Sequence, residues 1–109
     1  MFAAKPAPTE TPRDIRQALL RGDIVLVDVR EPHENAAERI EGAQLHPLSC
    51  FDPKKLPSGK DLVLHCGSGK RSETAYQNCR KAGVAVRSHM AGGIQAWKSA
   101  GLPTASGRG

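Results

Sequence analysis

The run Leu62-Val63-Leu64-His65-Cys66-Gly67-Ser68-Gly69-Lys70-Arg71-Ser72 passes from an apolar segment through a glycine-rich turn into the start of a helix. Leu62 to His65 is read as a buried strand. Ser72 to Lys81 is read as a helix with an apolar stripe of Ala75, Cys79 and Ala82, ended by Gly83. A strand that feeds a loop and then a helix is the building unit of an open parallel α/β sheet, and such sheets bind ligands at the C-terminal ends of their strands. Cys66 occupies that end. Gly67 and Gly69 can adopt the positive φ values that turn successive N–H groups inward, and Lys70 and Arg71 add two cations nearby. Converging N–H groups, a helix N-terminus and cations all favour a thiolate over a thiol. The stretch is therefore a candidate anion-binding cup with a sulfur nucleophile at its floor. The plainer alternative is a small buried cysteine followed by a Gly-Ser-Gly loop.

Outward from this unit, Ile24 to Val29 is a nearly unbroken apolar, β-branched run, the pattern of a strand covered on both faces. Asp28 and Arg30 interrupt it near its end. Buried charges are costly unless paired, so these two are assigned to a structural clamp, with each other or with backbone groups. Before it, Thr11 caps a helix with Pro12 at its first position and Ile15, Ala18 and Leu19 on one face, stopped by Gly22. Between the two buried strands come a loop and short helix over residues 31–39, a short strand from Ala43 to Pro47, and a loop from Leu48 to Lys60. Val84 to Val86 is read as a further strand, and Ile94, Trp97 and Leu102 anchor a last helix. Strand alternation turns His65 away from the Cys66 thiol, Cys50 is read as a half-buried hydrophobe, and Cys79 as core. Residues 1–10 read as a flexible lead-in, 11–103 as one domain, and 104–109 as a flexible tail or linker stump. The fold class is α/β: a doubly wound parallel sheet with helices on both faces.

Composition narrows the function. The chain has 109 residues, 39% hydrophobic but only 4% aromatic, so the core is aliphatic. No stretch approaches the ~20 apolar residues of a membrane span, and no secretory h-region precedes the domain, so no membrane contact and a cytoplasmic location are expected. Its three cysteines lack Cys-x-x-Cys or Cys/His ligand spacing, which argues against a disulfide framework and against a metal site. The formal charge of +5 is spread over scattered Lys and Arg residues with few aromatics, so nucleic acid is not the expected partner. A small anion is.

Three segments together carry a family resemblance. The Cys66–Ser72 loop resembles the active-site loop of the rhodanese (thiosulfate sulfurtransferase) family. The segment Leu26-Val27-Asp28-Val29-Arg30-Glu31-Pro32-His33-Glu34 is similar to that family's early strand–loop signature, and Gly92-Gly93-Ile94-Gln95-Ala96-Trp97 to its C-terminal one. With Ile40-Glu41-Gly42-Ala43 between them, the segments fall in the family's order from about Thr11 to Pro103. Where the family commonly carries Gly-His, this chain has Glu38-Arg39. The resemblance implies a single rhodanese-like domain needing no cofactor. Cys66 would take a sulfane sulfur from thiosulfate or a similar small anionic donor, hold it as a persulfide and pass it to cyanide, a thiol or a protein acceptor. Gly67, Ser68, Gly69, Lys70, Arg71 and Ser72 would form the substrate-binding loop, with Asp28 and Arg30 in support. The nearest alternatives are a cysteine phosphatase or arsenate reductase built on a similar cup, and a non-catalytic sulfur-sensing or interaction module. Phosphatase-type loops typically place five residues between Cys and Arg, whereas here there are four, Gly67 to Lys70.

Overall fold

A computed structural model describes residues 5–107 of the protein. Helix α1 (Pro12–Arg21) begins where its sequence provides a cap: Thr11 Oγ1 accepts the Asp14 N–H at 3.2 Å, and Pro12 sits at the first position. Strands β2 (Ile24–Asp28) and β5 (Asp61–His65) pair in parallel along their whole length, with Asp28 opposite His65. Beyond β5 lies β6 (Ser88–Met90), then β1 (Thr9–Glu10) at one edge; β4 (Gln44–Leu45) lies at the other edge, beside β2. All of these neighbours are parallel, giving a five-stranded sheet in the order β1-β6-β5-β2-β4.

The sheet is covered on both faces, and the alternation of its side chains shows why β2 and β5 are apolar throughout. Leu26, Val63 and Met90 pack on one side with Ile15 and Ala18 of α1 and with Ile94 and Trp97 of α4 (Gly93–Ser99). Val27, Val29, Leu62, Leu64 and Cys66 pack on the other side with Ala75 of α3 (Lys70–Lys81) and with Leu48, Phe51 and Leu56. Trp97 is buried, and its indole N–H donates to the Pro103 carbonyl at 2.8 Å. Among the described residues no helix is long and apolar enough to cross a membrane.

Several expectations are corrected here. Within the stretch read as a lead-in, Thr9–Glu10 is a strand, and Ala7 is buried with its N–H donating to the Glu73 carboxylate at 3.1 and 3.2 Å. The exposed edge of β6 and a carboxylate on α3 supply the backbone partners that composition does not reveal. Residues 1–4 lie outside the described residues. The stretch read as a tail likewise contains a strand, β7 (Ala105–Ser106), antiparallel to β3 (Glu38–Arg39). It is held further by Thr104 Oγ1 donating to Glu38 Oε2 at 2.7 Å; residues 108–109 lie outside the description. The strand expected at Val84–Val86 forms instead at Ser88–Met90. The Val84 N–H is taken by the Cys79 carbonyl at the end of α3, so the chain becomes free to pair only from Arg87, whose N–H donates to Leu62 O. Ala82 is exposed rather than part of the apolar stripe, and Cys50, in a short 3-10 turn, is exposed rather than half-buried.

Candidate active site

Helix α3 starts at Lys70, two residues earlier than the sequence pattern suggests, because Gly69 takes φ 112° at its N-cap. That left-handed turn suits glycine alone and folds the loop back over the end of β5. The Gly69 N–H donates to Cys66 Sγ at 3.1 Å and the Ser72 N–H at 3.3 Å; the Ser72 hydroxyl lies 3.5 Å from the sulfur. Burial pushes the Cys66 thiol up, but the Ser72 hydroxyl and the N–H groups of Ser72, Gly69 and Ser68 outweigh it, so its pKa falls below the ordinary thiol value. Cys79, buried without such donors, is pushed up to about 11. The two buried cysteines are therefore shifted in opposite directions, Cys66 down by its hydrogen-bond donors and Cys79 up by burial.

The loop is clamped from above by α4. The Ile94 and Gln95 N–H groups donate to the carbonyls of Cys66 and Gly67 at 2.8 and 3.2 Å. Gly93, at φ 61°, lies so close that a Cβ there would stand 2.5 Å from both carbonyl oxygens. Gly93, the second glycine of the C-terminal signature, thus has a steric role in seating the loop.

Arg71 flanks the loop and is gripped by Glu34 of α2 (Pro32–Ala37) through two bonds, 2.6 Å from Nη1 and 2.9 Å from Nη2. The Arg71 guanidinium holds the Glu34 carboxyl at about 2, well below the usual carboxylate range. Glu34 in turn accepts the Glu31 N–H at 3.0 Å in a capping box, so α2 is fixed to the loop through one carboxylate. Lys70 is exposed and, among the described residues, forms no ion pair. Ser68 is exposed at the turn of the loop.

Beneath the loop, on the opposite face of the sheet from Cys66, Asp28 and Arg30 form a buried pair. Arg30 donates from its backbone N–H and Nε to Asp28 Oδ1 at 2.9 and 3.0 Å, and from Nη2 to Oδ2 at 2.8 Å. Asn35 Nδ2 donates to the same carboxylate at 3.1 Å, and Arg30 Nη2 also reaches the Glu38 carbonyl at 2.7 Å. Burial pushes Asp28 up, and the Arg30 bonds, His65 and Asn35 together bring it below the ordinary value. His65 is fully buried with Nε2 3.8 Å from Asp28 Oδ1, and its ring faces away from the thiol as strand alternation requires.

Sequence reasoning about the loop did not single out Glu34, Gly93 or His89, whose Nδ1 lies 2.7 Å from Ser72 Oγ. Their partners are distant in sequence, so no local spacing reveals the contact; the signal for Glu34 and Gly93 was membership of the early and C-terminal segments. Among the described residues no cluster of His, Cys, Asp or Glu has the arrangement of a metal site. A groove of about 340 Å³ along Tyr76, Arg80 and Gly83–Val86 contains none of the loop residues. The cup is instead a tight ring of backbone donors round one sulfur.

A strand-end cysteine whose sulfur accepts N–H groups at the N-terminus of the following helix, on a doubly wound parallel sheet, defines a cysteine-loop fold class. The Rhodanese-like domain family model matches residues 11–100, and the chain belongs to that family. It is 46% identical over 98 residues to an uncharacterized Synechocystis protein, covering 88% of this chain and 55% of that one. The chain thus spans about half the length of that relative. A sulfurtransferase of Allochromatium vinosum is 34% identical over 89 residues, covering 80% of this chain and 83% of that protein. The crystal structure of thiosulfate sulfurtransferase from Pseudomonas aeruginosa superposes with a TM-score of 0.81 at 27% identity, covering 98% of this chain and 21% of that one.

Proposed function

We propose that the domain transfers sulfane sulfur by double displacement through Cys66, from a small anionic donor such as thiosulfate to a thiophilic acceptor, cyanide or a thiol. The observation that carries this reading is the Cys66 sulfur receiving the N–H groups of Gly69 and Ser72 at 3.1 and 3.3 Å at the N-terminus of α3. Thiolate attacks the outer sulfur of the donor, the S–S bond breaks, and sulfite leaves with the bonding pair. The terminal sulfur of the resulting Cys66 persulfide is anionic, and the N–H groups from Gly67 to Ser72 stabilise it. The acceptor then attacks that sulfur and Cys66 departs as thiolate, ready for the next cycle. Arg71, braced by Glu34, keeps the loop closed and the local potential positive. Exposed Lys70 attracts the anionic donor.

The four-residue spacing between Cys66 and Arg71 supports sulfur over phosphoryl chemistry, because a small cup fits one covalently attached sulfur better than a tetrahedral oxyanion. Each cycle starts from a reduced Cys66, so the proposed setting is a reducing compartment such as the cytoplasm. A protein thiol is a further acceptor candidate, in keeping with the sulfurtransferase relatives.

The test is thiosulfate-to-cyanide turnover in single Cys→Ser variants. Cys66→Ser is expected to abolish turnover, while Cys50→Ser, at an exposed turn, and Cys79→Ser, in the core, retain most of it. Equal loss in Cys66→Ser and Cys79→Ser would replace this scheme with one that uses a second, resolving thiol.

A further inference from the structure

Behind the cup, a line of buried polar side chains runs away from the nucleophile. Ser72 Oγ lies 3.5 Å from Cys66 Sγ and 2.7 Å from His89 Nδ1. On the far side of the ring, His89 Nε2 is 3.4 Å from Glu73 Oε1, an ion-pair distance without hydrogen-bond alignment. Ser72 is fully buried and His89 is 4% exposed. A buried imidazole between a hydroxyl and a carboxylate has a packing role only if its polarity is incidental, and here Nδ1 faces the hydroxyl beside the Cys66 sulfur while Nε2 faces a carboxylate. We propose that His89 is a positioning residue which stores the proton of Cys66, exchanging it through the Ser72 hydroxyl.

The exchange balances without any external reagent. With Glu73 ionised, the neutral ring carries its proton on Nε2, facing the carboxylate, and presents Nδ1 as acceptor. The Ser72 O–H then donates to Nδ1, leaving its oxygen to accept from the Cys66 S–H. When the S–H proton passes to Ser72 Oγ, the Ser72 proton passes to Nδ1, and the S–H electron pair stays on sulfur. The products are Cys66 thiolate and His89 imidazolium, with no change in oxidation state. In that state the direction of donation reverses: Nδ1–H donates to Ser72 Oγ, and the Ser72 O–H is released toward the thiolate or toward the Gly69 carbonyl, 3.3 Å away. The proton is returned along the same route whenever the resting Cys66 reverts to thiol.

The ionisable surroundings of His89 are consistent with this assignment. On α3, Glu73 faces the ring; it is held ionised, below the usual carboxylate range, by Gln77, the Ala7 N–H and His89. On β1, Glu10 turns instead to Arg87 and Ser88. On β5, His65 faces Asp28 on β2. Cys66, through Ser72, is therefore the one ionisable nucleophile the ring addresses among the described residues. Burial holds His89 below the ordinary imidazole value against the pull of Glu73, so the resting ring is neutral and its Nδ1 is a hydrogen-bond acceptor for Ser72.

The inference rests on Cys66 being the nucleophile, and its test reads the thiolate directly, so it can fail while sulfur transfer stands. In a Cys50→Ser background, which removes the exposed thiol, the rate of Cys66 alkylation by iodoacetamide is followed from pH 5 to 9. His89→Asn is expected to move the Cys66 profile to higher pH and to slow alkylation at pH 6 by about tenfold, the change that one unit of thiol pKa produces. The same substitution in a Ser72→Ala background is expected to change nothing further, because the route is already cut. If His89→Asn leaves the profile unmoved, or slows alkylation equally with and without Ser72, the proposal is overturned. Should His89→Asn not fold, nitrogen shifts of the His89 ring decide the matter. The ring must titrate differently after Cys66 is capped as a neutral thioether, and an unchanged titration refutes the coupling.

Discussion

Replacing Gly93 by alanine tests whether α4 sets the cup by direct contact. The residue sits at φ 61°, and an added Cβ would meet the Cys66 and Gly67 carbonyl oxygens at 2.5 Å and the Gly67 carbonyl carbon at 2.6 Å. Left-handed backbone costs an alanine about 1–2 kcal/mol. The overlap is with backbone on both sides, so it is relieved only by moving α4 off the loop, which lengthens the Ile94→Cys66 and Gln95→Gly67 bonds of 2.8 and 3.2 Å. Losing each of these costs about 1 kcal/mol. The expected destabilisation is about 3–4 kcal/mol, a fall in melting temperature of roughly 10–20 °C for a domain of this size. Gly101→Ala is the control: at φ 77° it carries similar backbone strain, but nothing lies within 4 Å of the added Cβ. It should cost only the strain. Paired thermal melts, with Cys66 alkylation rates measured on the folded fraction, separate the cases. Gly93→Ala should slow alkylation as well as lower stability, because the loop N–H groups are pulled off the sulfur. Equal melting temperatures for the two variants would refute the claim that α4 seats the loop.

Asp28→Asn should cost about 3–5 kcal/mol in urea unfolding, because Arg30 is left charged and buried without its carboxylate; a stable but inactive variant would instead make Asp28 part of the chemistry. Glu34→Gln should destabilise by on the order of 1 kcal/mol at pH 7, a value set by solvent screening of this partly exposed ion pair. The folded pKa of Glu34, about 2, lies below its reference of 4.5. The stabilisation is therefore complete above about pH 4.5 and fades as pH falls toward 2, so the gap between parent and variant should narrow on acidification. A gap that holds constant from pH 7 to pH 3 would show that charge on Glu34 contributes nothing.

The parts of this molecule legible in the sequence are those whose cause is local. The apolar runs of β2 and β5 announce strands covered on both faces, Thr11-Pro12 announces the start of α1, and Cys66-Gly67-Ser68-Gly69 announces a turn with a thiol at its head. The alternation that turns His65 from Cys66 is also local. What sequence hides is pairing between distant segments. Thr9–Glu10 is too short and too polar to read as a strand, and it becomes one because β6 offers an open edge. Ala105–Ser106 becomes one because Glu38–Arg39 lies opposite. The same limit applies to the site. The candidate loop residues are readable because they are contiguous, whereas Glu34 and His89 reach Arg71 and Ser72 across 37 and 17 positions of chain. Val84–Val86 shows the converse error, since a β-branched pair there is diverted by the Cys79 carbonyl at the end of α3.

The central claim is that Cys66 carries the transferred sulfur. Reduced protein is mixed with thiosulfate, freed of excess reagent, and its intact mass is measured before and after addition of cyanide. The account predicts a gain of one sulfur atom, located on the Cys66 peptide, absent in Cys66→Ser and removed by cyanide. Protein that gains no sulfur, or gains it equally on Cys50 or Cys79, contradicts the account.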